Sequence, residues 1–367
     1  MNIGFDAKRA FYNARGLGSY SRTLIRAMIN EYPDHTYHLY SPKDKRNSTP
    51  LMETPLGVRT NHQYHLSGSL WRVLSLGKEV FKDKLDIYHG LSAELPWIAS
   101  TTKPKLVVTI HDLTFLRHPH FYPWIDRMIY RKKTLYSLNH ADAVVAISEN
   151  TKQDILEFYG LDPEKVTTIQ PICDPEFFTE RSAEESDTIR HIMNLPSEYI
   201  LCVGSEGWNK NIQNVLQALA LTPDCSLVIV GRNHFKKLIQ RLNLRKRVLF
   251  IDPETGVSVQ TLSMIYRLAS LTVYVSHYEG FGLPIIESLA SGTPVISSNT
   301  SSMPEATGKG GILINPNDPA EISQAISKLL TDSAMMNSLT QAGRRHAKHF
   351  QAKNKAHQLM GLYSSLG

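Results

Sequence analysis

The sequence predicts an α/β protein built from two doubly wound parallel sheets. Short β-branched runs alternate with longer amphipathic segments along the whole chain, the order that builds successive βα units. Several of those runs lack polar alternation, as strands covered on both faces do. The series also restarts near Tyr199, so the 367 residues divide into two domains of moderate size.

In the first half the strand candidates are "NIGFD", "TYHLY", "DIYH", "LVVTI" and "AVVAI". In the second half they are "YILCVG", "SLVIV", "VLFI", "LTVYV", "PVIS" and "GILI". Helices lie between them. Tyr20, Leu24, Ala27 and Met28 share one helical face, and Ile322, Ala325, Ile326 and Leu329 share another. The proline-bearing "PICDPEFF", residues 171–178, reads as the connector, and the polar run "ERSAEESDTIRHIMNLPSE" separates it from the restart. The expected domains are 1–172 and 173–349. The last segment, about 350–367, is a helix whose domain the periodicity does not decide.

Composition narrows the class. The chain is 42% hydrophobic and 20% charged, the balance of a globular protein. No run approaches the roughly 20 apolar residues of a membrane-spanning helix, and "MNIGFDAKRAF" has no signal-peptide core. Cys173, Cys202 and Cys225 lack metal-ligand spacing and read as buried thiols in a reducing compartment, so a cytoplasmic location is expected. A formal charge of +6 suits anionic partners, such as nucleotides, phosphates, anionic lipid headgroups or nucleic acid, without choosing among them.

Four segments carry chemistry. In "NARGLGSYSRTLIRAM", Gly16 and Gly18 follow strand one and precede the first helix, where amides at a helix start hold phosphate and Arg15 adds charge. The plainer reading is a tight turn, and this motif alone leaves the two even. In "LVVTIHDLTFLRHP", His111 and Asp112 follow a buried strand at the sheet edge where ligands bind. The imidazole suits a substrate hydroxyl or proton transfer, whereas a locally satisfied histidine beside a capping Asp112 is the plainer alternative. His89 follows another strand end, with a weaker claim. In "CVGSEGWNKNIQNVLQAL", Lys210 lies near a helix start, a placement suited to a diphosphate or to a solvated lysine.

The fourth segment is "SHYEGFGLPIIESLASGTPVIS", residues 276–297. A strand leads into Glu279-Gly280-Phe281-Gly282-Leu283, Pro284 opens a helix, and Gly292 stops it. Backbone amides in such a loop approach an anion closely. Glu279 and Glu287, eight positions apart, span about 12 Å if fully helical, the scale of a diphosphate with a sugar at each end. An incidental capping acid leaves the order of the glycines unexplained.

The segment "SHYEGFGLPIIESLASGTPVISSNTSSMPEATGKGGILINPND" resembles the donor-site signature of the large retaining glycosyltransferase family with the GT-B fold, in which two Rossmann-like domains face a central cleft. "IGFDAKRAFYNARGLGSYSRTLIRAM", "VVTIHDLTFLRHP", "ADAVVAISENTKQDILEFYGLDPEKVTTIQP" and "FQAKNKAHQLMGLY" match the family pattern in order. The resemblance implies that Glu279 contacts the donor sugar and that Glu287 binds the nucleotide ribose. It gives the diphosphate to the amides near Phe281, Gly282 and Leu283, with Lys210 neutralising it and Gly16 or Gly18 approaching it. It sets His111 at the reaction centre, leaves Ser148 lining the cleft or capping a helix, and packs the last helix on the N-terminal domain. Where the family usually has an arginine, this chain has Asn209, which leaves Arg15 or Arg232 to supply the missing cation.

The resemblance further implies metal-independent transfer with retention, no resident cofactor, and a nucleotide-sugar donor. The pattern is similar to members that build bacterial surface polysaccharides, many of them mannosyltransferases, which points to GDP-mannose, with UDP-sugars as the alternative. The acceptor is then a saccharide or lipid-linked saccharide. The rival functions are a sugar-nucleotide epimerase, a phosphorylase on the same fold, and a non-catalytic binder. No nucleic-acid motif is present. The basic stretch "PWIDRMIYRKKTLY" is either a solvated helix face or a peripheral contact with an anionic inner membrane.

Overall fold

Two open sheets organise the chain, each entirely parallel. The computed structural model describes residues 1–13, 16–41, 59–62 (backbone only), 76–96, 104–204, 207–253 and 257–367. Arg15, named above as a phosphate ligand, lies outside them. The described residues form two compact units, Met1–Ile172 with Ala352–Gly367, and Cys173–Gln351.

The first unit contains β1 (Asn2–Asp6), β2 (Thr36–Ser41), β3 (Arg59–His62), β4 (Ile87–Gly90), β5 (Lys105–Ile110), β6 (Ala143–Ala146) and β7 (Val166–Thr168), ordered 3-2-1-4-5-6-7. Its central strands are buried along nearly their whole length, which is why their sequences are continuously apolar. The two edges escaped the sequence reading. β3 is the polar "RTNH" and β7 is only three residues long, so neither shows the apolar run of a two-sided strand.

The helix Gly16–Glu31 buries Tyr20, Leu24, Ala27 and Met28 on the expected face. The C-terminal helix Ala352–Leu366 completes this unit through polar anchors. Tyr363 Oη lies 2.6 Å from His89 Nδ1, Tyr32 Oη lies 2.5 Å from His357 Nδ1, and the buried Lys355 donates to Gln170 Oε1 at 3.0 Å. Burial draws the Lys355 ammonium down to about 8. "RRHA" belongs to the preceding helix, Ser333–Ala347, and the turn Lys348–Phe350 separates the two.

The second unit contains β8 (Ile200–Val203), β9 (Leu227–Val230), β10 (Val248–Ile251), β11 (Leu271–Tyr274), β12 (Val295–Ser298) and β13 (Gly311–Ile314), ordered 10-9-8-11-12-13. Its core packs Ile200, Ile229, Val273 and Ile296 from the sheet against Leu216, Leu219, Ile322 and Ile326 from covering helices. "PICDPEFF" is divided at the unit boundary. Its second half forms a short turn, Pro175–Phe178, whose Phe177 ring meets Tyr266 edge-on at 5.8 Å.

Candidate functional site

Strand order reverses between β8 and β11, and the two segments leaving these strands meet at their carboxyl ends. In open α/β sheets this is the crevice where ligands bind. Gly204 follows β8 at φ 88°, a left-handed conformation that a side chain would strain, and the stem of Lys210 packs against it. Trp208–Lys210 then forms a 3₁₀ turn that Asn211 ends in the left-handed region at φ 56°. Asn211 is held there by donating to Val275 O at 3.0 Å and Pro316 O at 2.7 Å.

Lys210 Nζ lies 2.8 Å from Glu279 Oε1 and donates to Tyr274 Oη at 2.7 Å. The lysine side chain is 22% exposed and the glutamate 16%, a pair recessed but open to a ligand. Burial pulls the ammonium down, but Tyr274 and Glu279 together hold it above the ordinary lysine value. Burial also pushes the Tyr274 phenol up, so that ring is neutral and the Glu279 carboxylate is the partner that keeps the lysine charged.

Asn209 donates to the same Glu279 oxygen at 3.0 Å and to Tyr278 O at 3.1 Å. At the position where an arginine was expected, this chain thus has a neutral group that orients the acid. The adjacent Trp208 ring stacks on His277 at 6.2 Å. Arg232, the other named cation, stands 3.9 Å from Asp252 and is half-buried.

The loop after β11 is tied down from behind. Ser301 Oγ donates to Glu279 O at 2.7 Å and accepts from Glu279 N at 3.3 Å. Ser302 Oγ bridges Glu279 O and Phe281 O, each at 2.9 Å. Gly282 caps the helix Leu283–Ala290 at φ 110° without any side-chain acceptor. Pro284 has no N–H and Ile285 N donates to Gly282 O at 3.0 Å, so in the first turn the Leu283 amide is the one that retains donor capacity. Pro284 sits in its first turn, and Gly292 follows its end at φ 86°.

Glu287, half-buried, accepts from Tyr266 Oη at 3.0 Å through Oε2. Burial raises its carboxyl to about 7, against the lowering effect of that bond, and nearby Asp174 adds to the rise. Nothing in the sequence pattern around Tyr266, Ser301 and Ser302 points to these contacts. Tyr274 carries a signal, as the last residue of an apolar strand at the ligand-binding edge.

In the first unit, His111 follows β5 as expected. Its Nε2 lies 2.8 Å from Leu91 O, so that nitrogen bears the proton and Nδ1 keeps a lone pair. Burial lowers its pKa and favours the neutral ring. Tyr20 meets the imidazole edge-on at 4.7 Å. Asp112 accepts from Thr114 N at 3.0 Å and from its hydroxyl at 2.6 Å, the local capping role. Ser148 is a fully buried N-cap, accepting from Thr151 N at 2.9 Å.

The glycine motif departs from its expected placement. A short helix, Lys8–Tyr12, intervenes after β1, and Gly16 and Gly18 lie within the first turn of the next helix rather than before it. Gly18 is closed in by the Asn13 carbonyl and Arg22, whereas among the described residues nothing crowds Gly16. The glycine at 18 is thus explained by close packing. His89 is wholly buried, with Nε2 2.8 Å from Thr109 Oγ1 and Nδ1 on Tyr363, and burial drives its pKa down to about 3.

A lysine–carboxylate pair beside a glycine-capped helix at the switch point of a parallel sheet is suited to an anionic ligand. The profile of glycosyl transferases group 1 matches residues 185–346, and that of Glycosyltransferase Family 4 matches residues 14–177. The chain belongs to the group 1 glycosyltransferases of GT-B fold. It is 27% identical to the O-antigen chain mannosyltransferase B of Escherichia coli, covering 100% of both chains. It is 26% identical to a D-inositol 3-phosphate glycosyltransferase of Corynebacterium glutamicum, over 78% of this chain and 73% of that one. With the serotype-specific mannosyltransferase WbdA of Escherichia coli it shares 28% identity, over 72% of this chain but only 33% of that longer protein.

Two solved structures share the fold. A sucrose-phosphate synthase from Thermosynechococcus elongatus superposes with a TM-score of 0.79 at 22% identity, covering 100% of this chain and 99% of that one. Anabaena HepE, in complex with UDP and glucose, gives 0.78 at 19% identity over 100% of both.

Proposed function

We propose that this chain transfers mannose, with retention, from GDP-mannose to a saccharide or lipid-linked saccharide acceptor in surface-polysaccharide synthesis. The observation that carries the reading is the Lys210–Glu279 pair at the switch point, beside a helix whose first amides have no side-chain cap. The full-length likeness to an O-antigen chain mannosyltransferase favours mannose over other sugars.

On this reading Lys210 and the amides of Phe281, Gly282 and Leu283 receive the diphosphate, whose charge grows as the sugar–phosphate bond loosens. Glu279 faces the donor sugar. Asn209 and Lys210 hold its Oε1, leaving Oε2 for a sugar hydroxyl. Glu287 accepts from the ribose through Oε1 while Tyr266 holds Oε2. His111 offers the Nδ1 lone pair to a hydroxyl, and the open first turn at Gly16 suits a phosphate oxygen. The acceptor hydroxyl attacks on the face the diphosphate leaves, and the departing phosphate oxygen takes its proton. The cation and amides supply the charge neutralisation, so the scheme calls for neither a metal nor a resident cofactor.

The test is transfer with GDP-mannose and with UDP-glucose onto a mannose-terminated oligosaccharide in the presence of EDTA, with the new linkage read by NMR. An α-linked mannosyl product from GDP-mannose is expected. An isomerised nucleotide sugar, a β-linked product or strict dependence on a metal would overturn the scheme. Transfer from UDP-glucose alone would replace the donor.

A further inference from the structure

In the first unit, the helix Trp124–His140 is turned inside out relative to its neighbours. Its buried residues are Thr134, Ser137 and Leu138, while its large apolar side chains face solvent. Of the fourteen exposed large hydrophobics among the described residues, seven fall between Phe121 and Leu135. Trp124 is 68% exposed, Ile125 49%, Met128 44%, Ile129 42% and Leu135 40%. Tyr130 is set apart from these, since it packs on Phe115 and Tyr122.

At about 100° per residue, Trp124, Leu135, Met128, Ile125 and Ile129 occupy a continuous arc of about 140°. Lys132 falls within that arc, and Arg131 and Lys133 stand just beyond its two borders, all three exposed. Lys133 also reaches Glu94 at 3.4 Å. The helix sets Arg127, Arg131, Lys132 and Lys133 against one acid, Asp126.

We propose that this face docks the protein on an anionic phospholipid surface. An apolar stripe topped by a tryptophan and bordered by long cationic side chains matches an interface that is apolar below and negatively charged at its headgroups. Lysine and arginine stems lie along the apolar stripe while their charges reach phosphate. A protein partner would more readily be met by an apolar patch with its charges excluded from the centre, whereas here Lys132 lies inside the stripe. Among the described residues no helix is long and apolar enough to cross a membrane, so the attachment is peripheral. The inference stands on the helix alone and does not depend on which sugar is transferred.

Flotation of the full chain with vesicles containing phosphatidylglycerol tests it, with phosphatidylcholine vesicles as the reference. The wild type should float with the anionic vesicles, and added salt should weaken but not abolish the association. A Trp124→Ser/Met128→Ser double variant should partition about tenfold less, having lost buried apolar area. An Arg131→Glu/Lys132→Glu variant should lose the preference for anionic over neutral vesicles. These side chains face solvent, so thermal melting should match the wild type in both variants. Absence of flotation at low salt, or unchanged flotation of both variants, would overturn the proposal. So would a dimer in sedimentation that the Trp124 and Met128 changes dissociate, which would give the face to a second copy of the chain.

Discussion

Between β1 and β4 the order of the first sheet reverses, and between β8 and β11 the second does the same. The residues at the two reversals are treated differently. In the first unit His89 closes β4, and both its ring nitrogens have protein partners, with Thr109 also within 3.3 Å of Tyr20. In the second, Lys210 and Glu279 are paired yet remain 22% and 16% exposed, beside a helix with no side-chain cap. Topology marks both places equally. What separates a structural network from a candidate site is polar capacity left unspent and reachable by solvent.

That contrast predicts the largest effect. Lys210→Ala should lower transfer by about 10²–10³-fold, because the departing diphosphate loses its cation. His89→Ala should leave turnover per folded molecule near the wild-type value. Steady-state kinetics normalised to the folded fraction checks this, and equal losses in the two variants would erase the distinction.

The stability effects should run the other way. Removing the His89 ring leaves Tyr363 Oη without its His89 partner and Thr109 with Tyr20 alone, in a buried cavity, at a cost of about 2–4 kcal/mol in urea denaturation. The C-terminal helix should then become the first segment cleaved by protease. The pH dependence has a definite sign. The folded value of about 3 lies below the ordinary 6.5, so the unfolded chain binds the proton more readily. The stability that His89 contributes is complete above about 6.5 and is lost as pH falls from there toward 3. His89→Gln should remove that acid sensitivity.

A smaller effect belongs to Asn209. Its side chain is one of two that hold Glu279 Oε1, so Asn209→Ala leaves the acid steered by Lys210 alone. Turnover should fall about tenfold, the worth of one hydrogen bond to a charged group, while melting barely moves. A loss as large as that of Lys210→Ala would mean that Asn209 touches the substrate directly.

How far the sequence could be read follows the same physics. Central strands such as "LVVTI" and "LTVYV" announce themselves because burial on both faces demands apolar runs, whereas β3 and β7, at an edge, carry no such demand. Glu279, Lys210 and the glycine loop were legible because each sits at a strand end within a short motif. Tyr266, Ser301 and Ser302 were not, since they reach the helix at Glu287 and the loop at Glu279 across the fold, and nothing in their spacing points there. Gly18 misled for a related reason. Its glycine answers to a tight contact with Asn13, which a pattern of glycines cannot distinguish from a phosphate turn.

Glu287 offers the finest test, because there stability and binding pull apart. Burial lifts its folded value to about 7, above the ordinary 4.5, so the folded chain holds the proton more tightly than the unfolded one. The sign is opposite to that of His89. Stability contributed by the protonated form is present below about 4.5 and is lost as pH rises through about 7. The ionised carboxylate accepts a ribose hydroxyl at Oε1 more strongly than the neutral acid does, so donor affinity should rise over the same interval. Between roughly pH 6 and roughly pH 8 the gain is bounded at about tenfold, the change in ionised fraction around a pKa of 7. Calorimetric titration with the nucleoside diphosphate should show the rise in the wild type and a flat profile in Glu287→Gln. The same variant should flatten the fall in stability near neutrality. If binding stays flat while stability still falls, the carboxylate titrates without touching the nucleotide, and Glu287 joins His89 among the internal groups.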